Sequence, residues 1–226
     1  MKRVTALLLA AMMIITTGLI TPAMAAEDDV PETYSNAYVV MDAKTGQVLL
    51  QKNMYEKEYP ASITKILTTA LGLTYAKPED RITVSQETVS DVWKWGETTH
   101  LALEPGEIIT LKDALYGAMV ESANDCANAI AQAVSGSLTD FAELMNQQVA
   151  ALGLSDTHFT NAHGLPDKDH YTTAYDMARI TRWAMTVPGF EEYFCATEYT
   201  IPKTNKKDVA RNIGTHHHML VESAYY

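Results

Sequence analysis

The sequence predicts a mixed α/β domain of the α+β kind, in which helices flank an antiparallel sheet. Two observations lead there. A hairpin signal near residue 40 is followed by a long run of helical patterns and then by another strand signal, whereas a doubly wound sheet would alternate strand and helix throughout. About 200 residues remain after an N-terminal leader, enough for one sizeable core or two small subdomains.

The elements follow in order. Tyr38-Val39-Val40-Met41 and Gln47-Val48-Leu49-Leu50 read as strands around Asp42-Ala43-Lys44-Thr45-Gly46, where the closing glycine suits a left-handed turn position. Ile63, Ile66, Leu67, Ala70 and Leu71 form a wide apolar stripe on a helix from Ser62 to Tyr75, closed by Lys77-Pro78. Arg81-Ile82-Thr83-Val84 suits a short strand. Thr110 with Asp113 caps a helix through Val120, and a second helix covers Asp125 to Val134. Phe141, Leu144, Met145, Val149 and Leu152 make Thr139 to Leu152 amphipathic, with Gly153 as its stop. Thr173 with Asp176 caps a helix ending near Pro188, and Glu198-Tyr199-Thr200-Ile201 reads as a strand. No repeat, low-complexity tract or linker interrupts this order.

Lys2 and Arg3, the apolar run from Val4 to Ile20, and Ala23-Met24-Ala25 read as a signal peptide over residues 1–25, removed to leave 26–226. An uncleaved membrane anchor is the other reading, although the apolar run is short for a bilayer span. Export places the mature protein outside the cytoplasmic membrane, in the periplasm or on the cell-wall side. Loss of Lys2 and Arg3 makes the formal charge of −11 more negative still. So acidic a chain does not suit nucleic acid or anionic lipid surfaces, which reward clustered Lys and Arg. The acidic stretch Glu27-Asp28-Asp29 suits a solvated mature terminus.

The residues with most chemical content are Ser62 and Lys65 in Tyr59-Pro60-Ala61-Ser62-Ile63-Thr64-Lys65. Positions i and i+3 share a helix face, so the amine can reach the hydroxyl. Serine needs a neighbouring base to become nucleophilic, and a lysine serves if burial or positive potential depresses its pKa. The helix amino terminus adds such potential, and its free N–H groups can polarise a carbonyl. The competing reading is an N-capping Ser62 followed by a solvated lysine. Farther on, Val120-Glu121-Ser122-Ala123-Asn124-Asp125 sets a second serine and a carboxamide two apart just beyond a helix, able to reach one cleft.

SxxK joined to a Ser-x-Asn and a Lys-Thr-Gly element is the signature of serine β-lactamases and penicillin-binding proteins. With Ala123 between Ser122 and Asn124, the chain resembles the low-molecular-mass D-alanyl-D-alanine carboxypeptidases. Leu103-Glu104-Pro105-Gly106-Glu107, Met145-Asn146, Leu152-Gly153-Leu154, Thr157-His158-Phe159, Asn161-Ala162-His163-Gly164-Leu165-Pro166 and His170-Tyr171-Thr172-Thr173-Ala174 extend that resemblance, in order, from Tyr34 to the chain end.

The resemblance implies a β-lactamase/transpeptidase-like fold with an all-helical lobe over roughly residues 80–170. It implies removal of the terminal D-alanine from peptidoglycan pentapeptide stems through an acyl-enzyme on Ser62. Lys65 would be the base, Ser122 the proton relay, Asn124 the holder of the substrate amide, and β-lactam antibiotics covalent inhibitors; no cofactor or metal is implied. A serine β-lactamase is an alternative, though no glutamate has the local pattern of the class A deacylating residue. A non-catalytic cell-wall-binding or sensor relative is another.

The third element is out of place. Lys44-Thr45-Gly46 precedes Ser62 and falls in the hairpin turn, while Lys203-Thr204-Asn205 lacks the glycine that lets substrate backbone approach a strand edge. Ser223-Ala224-Tyr225-Tyr226 resembles the stretch just before the family's Lys-Thr-Gly strand, which implies a catalytic domain incomplete at its C-terminus. The family's C-terminal domain and amphipathic anchor, its route to the membrane, would then also lie beyond residue 226. The 226-residue chain is accordingly expected to be inactive, since one missing oxyanion donor alone costs about 100- to 1000-fold. A naturally short, catalytically dead relative is the alternative.

Among the remaining residues, Cys126 reads as a buried free thiol, with a Cys126–Cys195 bridge as the other possibility that export permits. His216-His217-His218 suits a solvated loop or strand start better than a metal site, because consecutive side chains cannot all face one ion. His163 and His170 flank a turn and are expected to order it. Trp93 and Trp95 are expected to pack on the helical lobe rather than form a carbohydrate platform.

Overall fold

β1 (Tyr38–Met41) and β2 (Val48–Lys52) pair antiparallel through a turn that Asp42 organises. Its carboxylate accepts from the backbone N–H of Lys44 and Thr45 and from the Thr45 hydroxyl, and Gly46 closes the turn at φ +76°. Arg182 donates to the carbonyls of Ala43 and Lys44 and so ties this turn to a later helix. The structure, a computed structural model, describes residues 33–217; the leader over 1–25, His218 and Ser223–Tyr226 lie outside them.

The next segment carries the SxxK pair. A 3-10 turn at Ala61–Ile63 runs into α1 (Thr64–Tyr75), whose buried residues include Leu67, Ala70 and Leu71, as the apolar stripe requires. β3 (Arg81–Thr83) precedes α2 (Gln86–Trp93) and pairs antiparallel with β4 (Ile108–Thr110). α3 (Leu111–Val120) starts with the expected capping box, Thr110 and Asp113 exchanging bonds of 3.1 and 3.0 Å. After it come α4 (Asn124–Ser135), α5 (Leu138–Ala151), α6 (Ala174–Ala184) and α7 (Phe190–Phe194). β5 (Glu198–Ile201) and β6 (Arg211–Gly214) form a last antiparallel pair.

α4 is the hub. Cys126, Ala129 and Ile130 join one apolar cluster with α3, β3, β4 and the β5–β6 pair. Ala127 and Ala131 join another with α1, α5 and α6. Small residues on both faces let neighbouring helices approach from two sides.

Several expectations change. The strands form three separate two-stranded ladders among the described residues, not one sheet. α6 stops at Ala184, short of Pro188, and Gly189 at φ +82° starts α7. α2, β4, α7 and β6 lack clear sequence signals: each is short, and α2 buries only Thr88, Val89 and Val92. Trp93 and Trp95 are 50% and 42% exposed rather than packed. The expected buried free thiol at Cys126 is found; Cys195 is exposed and also free, so the alternative bridge between them is absent.

The β5–β6 connection docks on the turn before β4. Asn205 donates to the Gly106 carbonyl and accepts from the Ile108 N–H, Thr204 donates to Glu107, and Lys207 pairs with Glu104. Glu107 is fully buried and is bonded by Arg211 at 2.7 Å. Removing one partner of a buried pair strands the other charge. Arg211→Ala is therefore expected to destabilise the fold by about 3 kcal/mol in urea titration, whereas Lys207→Ala, at a more exposed pair, costs less than about 1 kcal/mol.

Candidate active site

Three separated segments converge on one amine. Lys65, on the first turn of α1, is 2% exposed. Its Nζ lies 3.1 Å from Ser62 Oγ, 3.4 Å from Ser122 Oγ, 2.8 Å from Asn124 Oδ1 and 2.8 Å from the His163 carbonyl oxygen. The capped-serine, solvated-lysine reading is thereby excluded: the lysine is buried, and Ser62 makes no capping bond. Desolvation lowers the Lys65 pKa to about 7, against a smaller opposing pull from Cys126 and Asp125.

A neutral amine has two N–H bonds and one lone pair. The Asn124 and His163 oxygens accept only, and both sit at 2.8 Å, so they take the two N–H bonds. The lone pair is left for the serine hydroxyls, Ser62 being the nearer. Ser62 itself is exposed to the cleft. Buried amine and accessible hydroxyl is the division of labour that nucleophile activation needs.

Local backbone sets these positions. Ala61 and Ser122 both sit at positive φ, +49° and +60°, which is rare for residues with a Cβ. The Ser122 turn is pinned by the Ala123 N–H donating to Gly117 O and the Asn124 N–H donating to Thr99 O. Buried Asp125 accepts from the N–H groups of Leu101, Leu103 and Cys126, fastening the preceding loop to the start of α4. Gly164, at φ +89°, lies against the Ala61 turn so closely that a Cβ there would fall 1.8 Å from Ala61 O.

The two loop histidines are buried and neutral. Each accepts a backbone N–H at Nδ1, from Leu165 for His163 and from Thr160 for His170, which leaves Nε2–H as donor. His163 donates to Asp91 and His170 to the Thr64 hydroxyl, both at 2.9 Å. Burial pushes both pKa values down, that of His170 to about 4. They order the loop, as the sequence suggests; the contribution of the His163 carbonyl to the amine pocket has no sequence signature.

A cleft of about 460 Å³ opens over this cluster, lined by Ser62, Lys65, Ser122, Phe194, His216 and His217 among others. The strand preceding His216 ends at Gly214, and His216 reaches Glu121 at 3.3 Å across the cleft. Among the described residues no group of His, Cys, Asp and Glu could hold a metal ion, and no helix is long and apolar enough to cross a membrane. Neither misplaced third-element candidate lines this cleft.

Residues 23–221 match the family described as Peptidase_S11, D-alanyl-D-alanine carboxypeptidase. The chain is 34% identical over 218 residues to the D-alanyl-D-alanine carboxypeptidase DacF of Bacillus subtilis, covering 92% of this chain and 54% of that protein. Penicillin binding protein 6B of Escherichia coli has a similar structure, with TM-score 0.76 and 27% identity over 88% of this chain and 62% of that one. A Streptomyces K15 DD-transpeptidase variant shares the fold, with TM-score 0.78 and 24% identity over 85% and 78% of the two chains. The chain spans about half the length of the curated relatives it matches.

Gly164→Ala is expected to displace the Ala61–Ser62 turn and lower stability by more than about 1 kcal/mol, read as a fall in melting temperature. The histidines predict acid sensitivity. A folded-state pKa of about 4 for His170, below the ordinary 6.5, means the unfolded chain binds the proton first. Stability is complete above about pH 6.5 and declines as pH falls towards 4, by about 2–3 kcal/mol from this residue. In His170→Gln the loss between pH 7 and pH 4.5 should be correspondingly smaller in urea titrations.

Proposed function

The chain belongs to the Peptidase_S11 family of D-alanyl-D-alanine carboxypeptidases, a family of serine hydrolases, and from that premise we propose that the protein trims the terminal D-alanine from peptidoglycan pentapeptide stems. The observation that carries the proposal is the Lys65 amine, buried, held near pKa 7 and within 3.1 Å of an accessible serine hydroxyl.

Ser62 Oγ attacks the carbonyl carbon of the penultimate D-alanine, and its proton passes to neutral Lys65. Helix-start N–H groups favour the oxyanion. The tetrahedral intermediate collapses with cleavage of the C–N bond. Ser122, 3.4 Å from Lys65, relays a proton to the departing D-alanine amine. Water then enters, loses a proton to the same base, and hydrolyses the Ser62 ester. Asn124 holds the substrate amide: its oxygen is fixed on Lys65, which leaves its NH2 to donate to the substrate. β-Lactams acylate Ser62 in place of the stem peptide. The signal peptide places this chemistry on the outer side of the cytoplasmic membrane.

Intact-mass spectrometry of the protein, translated to the natural stop of its reading frame, is expected to give one penicilloyl adduct after penicillin treatment. Ser62→Ala should give none, and Ser122→Ala should slow acylation by about 10²–10⁴-fold. An adduct that persists in Ser62→Ala removes the assignment. Rapid release of penicilloate would identify a β-lactamase, and muropeptide binding without D-alanine release a non-catalytic relative.

The pH profile is a separate expectation. The reactive form is the neutral amine, present above the Lys65 pKa of about 7. Acylation should therefore fall about tenfold per pH unit below that value and level off above it.

A further inference from the structure

We infer that Asp91 is a positioning residue for acyl transfer: through the His163 ring it fixes the His163 carbonyl that holds the Lys65 amine. The inference rests on the Ser62–Lys65 reading above and extends it to a carboxylate outside the catalytic cleft. Asp91 does not line that cleft; it borders a separate cavity of about 450 Å³ beside α2 and α5.

The amine pocket has two anchoring oxygens, and they differ in how they are held. Asn124 is the first residue of α4 and its N–H is bonded to Thr99 O, so a helix fixes its carboxamide. His163 belongs to a loop. Asn161 Oδ1 accepts from the N–H groups of His163 and Gly164, and His163 Nδ1 accepts from Leu165 N–H. Those bonds shape the loop internally without tying it to the helices. Two side-chain bonds do that beside the carbonyl: the Thr68 hydroxyl of α1 donates to Ala162 O at 2.6 Å, and His163 Nε2–H donates to Asp91 of α2 at 2.9 Å.

Asp91 is built to be a fixed post. Its Oδ2 accepts from both His163 Nε2–H and Asn128 Nδ2, at 2.9 and 3.0 Å, while Oδ1 accepts from Lys94 at 2.6 Å. The His163 bond, foremost, holds its carboxyl well below the ordinary carboxylate range. The His163 ring is 2% exposed, so an untethered donor there would be stranded away from water. Removing Asp91 thus releases the ring, lets the carbonyl shift and turns the Lys65 lone pair away from Ser62. A displacement near 1 Å costs about 100-fold in rate even when made remotely.

Acylation of the full-length protein by a fluorescent penicillin, resolved into the binding constant and the first-order acylation rate, tests this. Asp91→Ala is expected to lower the acylation rate about 10- to 100-fold while binding stays within about threefold. Asp91→Asn keeps one oxygen for His163 and Asn128, and should recover most of the rate. Lys94→Ala removes the exposed partner alone and should leave the rate unchanged. Should Asp91→Ala not fold, Asp91→Glu keeps the charge but moves the carboxylate by one methylene and should slow acylation about tenfold. A wild-type rate in Asp91→Ala or Asp91→Glu, or an equal loss in Lys94→Ala, overturns the positioning role alone. Failure of the wild-type protein to form a Ser62 adduct overturns the acyl-transfer reading as well, so the two failures are distinct.

Discussion

The arrangement depends on keeping one lysine amine out of water. An ammonium buried without partners is among the costliest groups in a protein, and the usual response is loss of its proton. Here the amine is surrounded by oxygens from positions 57, 59 and 98 residues away in sequence, besides its own neighbour Ser62. The tertiary fold around α4 can be seen as the means of bringing those segments together. α4 starts at Asn124, packs against α1, and is buried on two faces, so the helix that carries the carboxamide also seats the helix that carries the amine.

Placing the serines requires backbone conformations that the chain would otherwise avoid. Ala61 and Ser122 occupy the left-handed region without being glycine or asparagine. Each costs about 1–2 kcal/mol and persists only where surroundings over-determine it. For Ser122 the surroundings are the two backbone bonds of Ala123 and Asn124 and the loop that Asp125 gathers. For Ala61 they are the close face of Gly164 and the start of α1. The same loop therefore supplies the His163 carbonyl to the amine and the Gly164 face to the serine turn. That sharing explains why this loop stands so near the Ser62 hydroxyl and the Lys65 amine.

How much of this the sequence disclosed depended on whether the feature lies in a side chain or in the backbone. Ser62 and Lys65 were legible because helix periodicity fixes their mutual reach, and Thr110–Asp113 because a capping box is local. Ser122 and Asn124 were legible as residue types in a short pattern, but their approach to Lys65 is tertiary. The His163 carbonyl was not legible, since every residue has one. Asp91 was missed because α2 is a single short amphipathic turn-pair whose signal is two valines and a serine cap. β4 and β6 were missed because three or four residues in an edge ladder need only one buried side chain, Ile109 and Ile213 respectively. The tryptophans misled in the opposite direction: indole size suggested burial, yet both stand at the end of α2 facing water.

The amine's setting near neutrality is itself a balance. Desolvation pulls its pKa down, while the buried neighbours Cys126 and Asp125 oppose it. Asp125 also accepts from the N–H groups of Leu101, Leu103 and Cys126, so the carboxylate near the amine is held in place by the loop it organises. In the proposed mechanism a stronger pull would leave the lysine protonated and unable to take the proton of Ser62. A group that must first accept a proton and then return it works best when neither state is strongly favoured. The carboxylate next to the Ser122-Ala123-Asn124 turn thus shapes the site twice, by fixing the backbone and by limiting how far burial drives the amine.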